Sequence, residues 1–167
     1  PQAPTGVAAL NAWLGAQLGR TLTIVTLRRS GPADDLLAGW RGQFQQFPLV
    51  RLLEEEADEA QIAEALTRIA LHDPDALLVC DDMPDAADAA QRWRAAVLDI
   101  AEGRNLFERM LIALVDAGMT RRAARACGYE DGFAPEQPLA EALATLAREA
   151  VTRAAYRRYG SSPPCYL

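Results

Sequence analysis

The chain contains no lysine; all 17 of its basic residues are arginine. That absence excludes Schiff-base chemistry and the phosphate-gripping lysine of a P-loop. Histidine is nearly as scarce. His72 stands alone, so any Ser-His-Asp or Cys-His arrangement would have to run through it. The three cysteines, Cys80, Cys127 and Cys165, form no CxxC pair and no zinc spacing. Their odd number and scatter suit reduced thiols in a cytoplasm, and Cys80 and Cys127 read as buried. No apolar run approaches the roughly 18–20 residues that span a bilayer. The amino end has no basic stretch leading into an apolar core, as a signal peptide would. A basic surplus is missing too: the net charge of −6 argues against nucleic acid as a partner. The expectation is a cytoplasmic chain without membrane insertion.

What is present is an ordinary globular composition. Half of the 167 residues are apolar, enough for a sizeable core in one unit. Residues 1–158 read as a single α/β domain with an N-terminal helix, 5–19, appended, and residues 159–167 as a tail. A chain opening on Pro1 rather than Met reads as a piece of a larger protein. Its wealth of Ala and Arg suggests a bacterial source. The acids of Glu54–Glu59 and Asp73–Asp88, and the arginines of Arg121–Arg125 and Arg153–Arg158, read as solvated helix faces.

Hydrophobic periodicity alternates between two periods along the chain. Thr5–Gly19 predicts a helix with Leu10, Trp13, Leu14 and Leu18 on one face and Thr5 as its cap. Thr21–Leu27 is β-branched and apolar and predicts a strand. Beyond Ser30-Gly31-Pro32, the spacing of Leu36, Leu37, Trp40, Phe44 and Phe47 predicts a helix. Leu49–Leu53 predicts a second strand. Asp58 and Gln61 then form a capping pair for a helix carrying Ile62, Ala65, Leu66 and Ile69 inward. His72-Asp73-Pro74 stops that helix, and Ala76–Cys80 reads as a buried parallel strand. Asp85 opens a helix with Trp93, Ala96, Val97 and Ile100 inward. Met110–Val115 is the fourth strand, Thr120–Cys127 a short helix, and Tyr129–Ala134 the fifth strand. Pro138–Tyr156 is a long helix with Leu139, Leu143, Leu146 and Val151 inward. This order predicts a three-layer, flavodoxin-like α/β fold with a five-stranded parallel sheet of order 2-1-3-4-5.

In such a sheet, ligands bind beyond the carboxyl ends of the strands. The loops expected there bring Ser30, Gly31, Asp34, Asp35, Asp81, Asp82, Asp116 and Pro135 to one edge. Converging carboxylates suit Mg²⁺, a hard cation that prefers oxygen ligands, with Asp81 and Asp82 as the metal candidates. The competing reading has these acids capping helices. Ser30-Gly31-Pro32 lacks dinucleotide spacing, and Pro32 removes an amide donor. His72 precedes the third strand and so falls at the opposite edge.

Two stretches carry family resemblances. Gly128-Tyr129-Glu130-Asp131-Gly132-Phe133-Ala134-Pro135, following Leu111–Val115 and the helix Thr120–Cys127, resembles the closing strand of cobalamin-binding Rossmann-like domains of the lysine 5,6-aminomutase type. That resemblance implies a corrin ligand held by a His in the loop after the first strand. Here the loop reads Arg28-Arg29-Ser30-Gly31-Pro32-Ala33-Asp34-Asp35, without His, and Asp116-Ala117 stand where the family has paired glycines. Asp75–Pro84 resembles response-regulator receiver domains, in which a phosphorylated Asp lies four residues before Pro; Cys80 holds that place here. Thr26, Leu27 and Arg28 stand where a receiver has its acid pair. Ala134 or Pro135 stands where it has its lysine. Both resemblances imply a kept scaffold with its reactive groups gone. The first expectation is therefore a non-catalytic regulatory or protein-interaction domain without cofactor, docking on a protein partner or on a second copy. A cobalamin-family module lacking the axial His is one alternative. A Mg²⁺-dependent enzyme using the carboxylate edge is another, and Asp81 or Asp82 as an unusual phosphoryl acceptor is a further variant.

Overall fold

A computed structural model describes residues 3–30, 35–80 and 87–159. The described elements run α1 (Val7–Gln17), β1 (Leu22–Arg29), α2 (Ala38–Arg41), β2 (Val50–Ala57), α3 (Ile62–Leu71), β3 (Ala76–Cys80), α4 (Ala87–Gly103), β4 (Leu111–Val115), α5 (Arg121–Ala126), β5 (Asp131–Phe133) and α6 (Leu139–Tyr159). The five strands form one parallel sheet of order β2-β1-β3-β4-β5, as the alternating pattern predicts.

The central strands β3 and β4 are apolar at every position and buried throughout. Only a strand covered on both faces can be so. Two cores result. Val25, Leu27, Leu77, Val79, Ile112 and Leu114 pack under α3 and α4. Leu22, Ile24, Leu78, Ala113 and Val115 pack under α1, α2 and α6. The inward residues of α3 are the four that its spacing predicts, Ile62, Ala65, Leu66 and Ile69. Asp58 and Gln61 make the reciprocal capping pair just ahead of them. On α4, Trp93 and Val97 are buried, and the Trp93 indole donates to the Ala57 carbonyl at 3.0 Å. On α6, Ala147 and Ala150 carry the inner face where Val151 was expected; Val151 is only half-buried.

The largest departure from the sequence pattern follows β1. The helix expected across Leu36–Phe47 is cut to the four residues of α2 and a 3₁₀ turn at Phe44–Gln46. Gly39 and Gly42 lie inside it, and each lowers helix stability by about 1 kcal/mol relative to alanine. Side-chain bonds fix the segment instead. The Trp40 indole donates to the Gln137 carbonyl at 2.9 Å, and Gln43 Oε1 accepts from the Leu139 amide at 3.0 Å, closing the start of α6. Leu37, Trp40 and Phe47 still reach the core. The face left short is completed by α1, whose Leu10 and Leu14 are fully buried in that same core. Thr5 does not cap α1; Gly6 holds the cap position without a side-chain bond.

The acid run also reads differently in three dimensions. Glu54, Glu55 and Glu56 lie on the edge strand β2, not on a helix. An edge strand tolerates charge because one of its sides meets water. At the opposite end of the sheet, the half-exposed Arg20 reaches Asp75 through both Nη atoms, at 2.9 and 2.7 Å, and Asp75 also accepts from the Thr23 amide. The hydrogen bond to Asp75 raises the pKa of Arg20 further above its ordinary value.

If α1 completes the core, Leu14→Ala will cost about 2–5 kcal/mol of unfolding free energy, the range for burying a cavity in a packed interior. Urea denaturation measures it. A loss within a few tenths of a kcal/mol would mean that α1 only rests on the sheet.

Candidate functional site

The strand register brings Glu56, Arg28, Cys80, Val115 and Phe133 into one row across the carboxyl-terminal end of the sheet. Alternation turns this row toward the α1/α2/α6 face. Val115 and Phe133 are covered by α6. On the β2–β1–β3 side the shortened α2 leaves a gap of about 310 Å³, lined chiefly by Thr26, Arg28, Leu37, Arg41, Glu54 and Cys80. Thr26 and Cys80 are its buried floor.

The gap is charged, and its charges are matched. Arg28 pairs with Glu56, its register neighbour. Arg41, from α2, reaches Glu54 with Nε at 3.2 Å and Nη2 at 2.7 Å and also pairs with Asp35. These two carboxylates raise the Arg41 pKa, the Glu54 bond most of all. Glu55 points to the other face, where Arg68 Nε meets it at 2.7 Å. Farther along the edge, Arg94 Nη2 lies 2.8 Å from Asp116, whose other oxygen accepts from the Ala117 amide at 2.8 Å.

Of the residues that the sequence points to, the structure describes four. Asp35 and Asp116 each hold an arginine. Ser30 lies on the opposite face of β1, beside a cavity of about 170 Å³ with Arg29, Asp58 and Trp93. Pro135 is half-buried between β5 and α6. Gly31, Asp34, Asp81 and Asp82 lie outside the described residues, as do Asp85 and Cys165. Among the described residues no group of three or more His, Cys, Asp or Glu is placed to hold a metal ion. His72 is exposed at the end of α3, at the opposite edge. Cys80 is buried as expected; Cys127 is exposed just past α5, contrary to expectation, because that short helix buries only Ala124. Sequence reasoning missed Glu54, Glu56 and Arg41. The signal lay in the period: three consecutive glutamates on a strand must point to alternate faces, and the helix reading hid it.

The Gly128–Pro135 stretch earns its composition through packing. Gly128 takes a left-handed φ of +93° after α5. The Tyr129 hydroxyl donates to the Arg94 carbonyl at 3.0 Å. Glu130 accepts from the Ile112 amide at 3.1 Å and pairs with Arg153 at 2.9 Å. A Cβ on Gly132 would sit 2.6 Å from Ala124 Cβ and from the Thr120 carbonyl oxygen.

No family model and no curated protein matches the chain. Among solved structures it is similar to a cobalamin-binding protein from Desulfitobacterium hafniense DCB-2, with TM-score 0.57 and 10% identity over 86% of this chain and 69% of that one. The fold is flavodoxin-like. Two structures of the response regulator RcsB also align. One, from Salmonella typhimurium, has TM-score 0.45 and 12% identity over 86% of this chain and 62% of that one. The other, from Salmonella enterica serovar Typhimurium, bound to promoter rprA in the presence of BeF3-, has TM-score 0.47 and 15% identity over 83% and 74%. The described residues do not fit a corrin held by a lower imidazole. The chain's one histidine is at the wrong edge, the gap is walled by Arg28, Arg41 and Glu54 rather than small residues, and the space over Gly132 is filled by α5.

Two outcomes follow. Gly132→Ala will destabilise the fold by about 1–3 kcal/mol, the cost of overpacking a tight contact, read by urea denaturation; an unchanged midpoint would show that α5 yields freely. Burial raises the Glu130 carboxyl above its ordinary value of 4.5 in spite of Arg153. The folded chain therefore holds this proton more tightly than the unfolded one, and the stability it contributes is fully present below about pH 4.5 and lost as pH rises through the folded value. Unfolding free energies of the wild type and Glu130→Gln, measured from pH 4 to 7, should diverge in that sense. Parallel curves would refute the assignment.

Proposed function

We propose that this chain is a non-catalytic regulatory or protein-interaction domain built on a flavodoxin-like scaffold. One observation carries the reading: four carboxylates of the carboxyl-terminal edge are each paired with an arginine of the same chain, while Asp58 caps the turn before α3 and Glu136 accepts from the Gly118 amide. Asp35 and Glu54 are held by Arg41, Glu56 by Arg28 and Asp116 by Arg94. Carboxylates that coordinate a cation or accept a proton must be available to it. These are committed to guanidinium groups, which stay protonated at any working pH. Exposed pairs of this kind each stabilise the fold by only about 0–1 kcal/mol. Their effect is on position: they fix the shape and the charge pattern of the corner. A fixed, polar, matched surface suits recognition by a protein partner or a second copy, where complementary charges set register and exclude wrong partners.

The test is binding by the intact chain. After incubation with hydroxocobalamin and desalting, the visible spectrum should show no retained corrin. Titration calorimetry with Mg²⁺ should give no saturable heat, and acetyl phosphate should leave the mass unchanged. Retained corrin absorbance would make the chain a cobalamin carrier. Saturable Mg²⁺ binding abolished by Asp81→Asn, or a stable phosphoryl adduct, would restore chemistry to the edge and overturn the proposal.

A further inference from the structure

Away from that corner, at the open side of β5, three arginines converge on a second and smaller cavity. Arg121 and Arg125 come from successive turns of α5 and Arg148 from the middle of α6; with Glu130, Asp131 and Glu149 they line a space of about 110 Å³. The three carboxylates are already engaged. Glu130 takes the Ile112 amide and Arg153. Glu149 takes Arg153 Nε at 3.1 Å. Asp131 takes the Gly132 amide at 2.8 Å, with its other oxygen 3.7 Å from Arg121 Nε.

Among the described residues, the three guanidinium groups are engaged only in part or not at all. Arg125 is tethered only through Nε, to the Glu130 carbonyl at 3.1 Å. Arg121 approaches Asp131 through Nε alone. The Arg148 guanidinium has no hydrogen bond or ion pair among the described residues, and the residue is exposed. Among the described residues, two arginines thus stand held by the inner nitrogen with both Nη atoms unused, and the guanidinium of a third is wholly unused, all at one cavity. One guanidinium fork satisfies the two oxygens of a carboxylate. Donors arriving from three side chains on two helices match a tetrahedral group with oxygens on several sides.

We propose that Arg121, Arg125 and Arg148 form a binding site for a phosphate group, free or as the monoester of a small molecule. The space is large enough for one oxyanion. The site is independent of the role proposed for the carboxyl-terminal edge.

Titration calorimetry at fixed ionic strength, with inorganic phosphate, glycerol phosphate, sulfate and acetate, tests it. Phosphate and sulfate should bind saturably at one site, and acetate should not. Arg148→Ala should weaken phosphate by about tenfold or more, the scale of a lost charge-assisted hydrogen bond. Because the Arg148 side chain has no partner to lose among the described residues, the circular dichroism and urea midpoint of the variant should stay those of the wild type. Arg51→Ala, which removes an exposed arginine from the far edge strand β2, should leave binding unchanged. Glycerol phosphate binding more tightly than phosphate would assign the site to a monoester, and the reverse to the free anion. Absence of saturable binding, acetate competing as well as sulfate, or an equal loss in Arg51→Ala would overturn the proposal.

Discussion

A parallel sheet has to be covered on both faces, and in this chain the helix that should cover one corner is too short to do so. Everything distinctive about the structure follows from that constraint. With α2 reduced to four residues, the apolar side chains of β1 and β3 on that face would lie open. The amino-terminal helix α1 supplies the missing cover with Leu10 and Leu14, and full burial of a leucine is worth about 1.5–3 kcal/mol. The cover is incomplete at the carboxyl-terminal end. There the row turns from apolar to polar, with Thr26, Arg28, Glu54 and Glu56 in place of the leucines and valines of the centre. Sequence and packing agree: where the helix stops, the sheet stops being apolar.

The same gap explains why the edge carries matched charges. Arg28 and Glu56 are neighbours in the register, so their pairing is a consequence of strand alignment. Arg41 stands at the end of α2, and the shortness of that helix lets one side chain reach both Asp35 and Glu54. A full-length helix would carry apolar residues over this corner instead. The ion pairs contribute little stability individually, but they define the surface that a partner would meet.

Much of the fold was legible because it rests on periodicity. The strands β3 and β4 are short unbroken apolar runs, the inner face of α3 is a clean helical stripe, and Asp58 with Gln61 announces its start. The misreadings share one cause: local pattern overridden by neighbours. Leu37, Trp40, Phe44 and Phe47 are spaced as on a helix, yet Gly39, Gly42 and the bonds of Trp40 and Gln43 to the α6 start hold a tighter path. Three glutamates in a row look like a solvated helix face, but pairing with β1 extends the strand through them. The candidate site was legible only in part for the same reason. Asp35 and Asp116 are legible as edge acids, but Asp35 is held by Arg41, six residues on across a segment whose pattern reads as helix, and Asp116 by Arg94, 22 residues earlier on α4.

The composition of the Gly128–Pro135 stretch answers to packing. Its glycines answer to backbone and helix: Gly128 turns the chain with a positive φ, and Gly132 makes room for the start of α5. Its polar residues are satisfied internally. Tyr129 bonds the α4 backbone, Glu130 bonds β4 and α6, and Asp131 bonds its own strand. Each of these requirements arises wherever a short helix must pack tightly against a short closing strand at the edge of a parallel sheet. Two chains that solve this packing problem will share the glycine spacing whether or not either binds a corrin. The sequence's one histidine, His72, lies at the other end of the sheet, so no imidazole of this chain stands at the carboxyl-terminal edge. Packing at β5 thus accounts for the glycine spacing and the polar partners of that stretch.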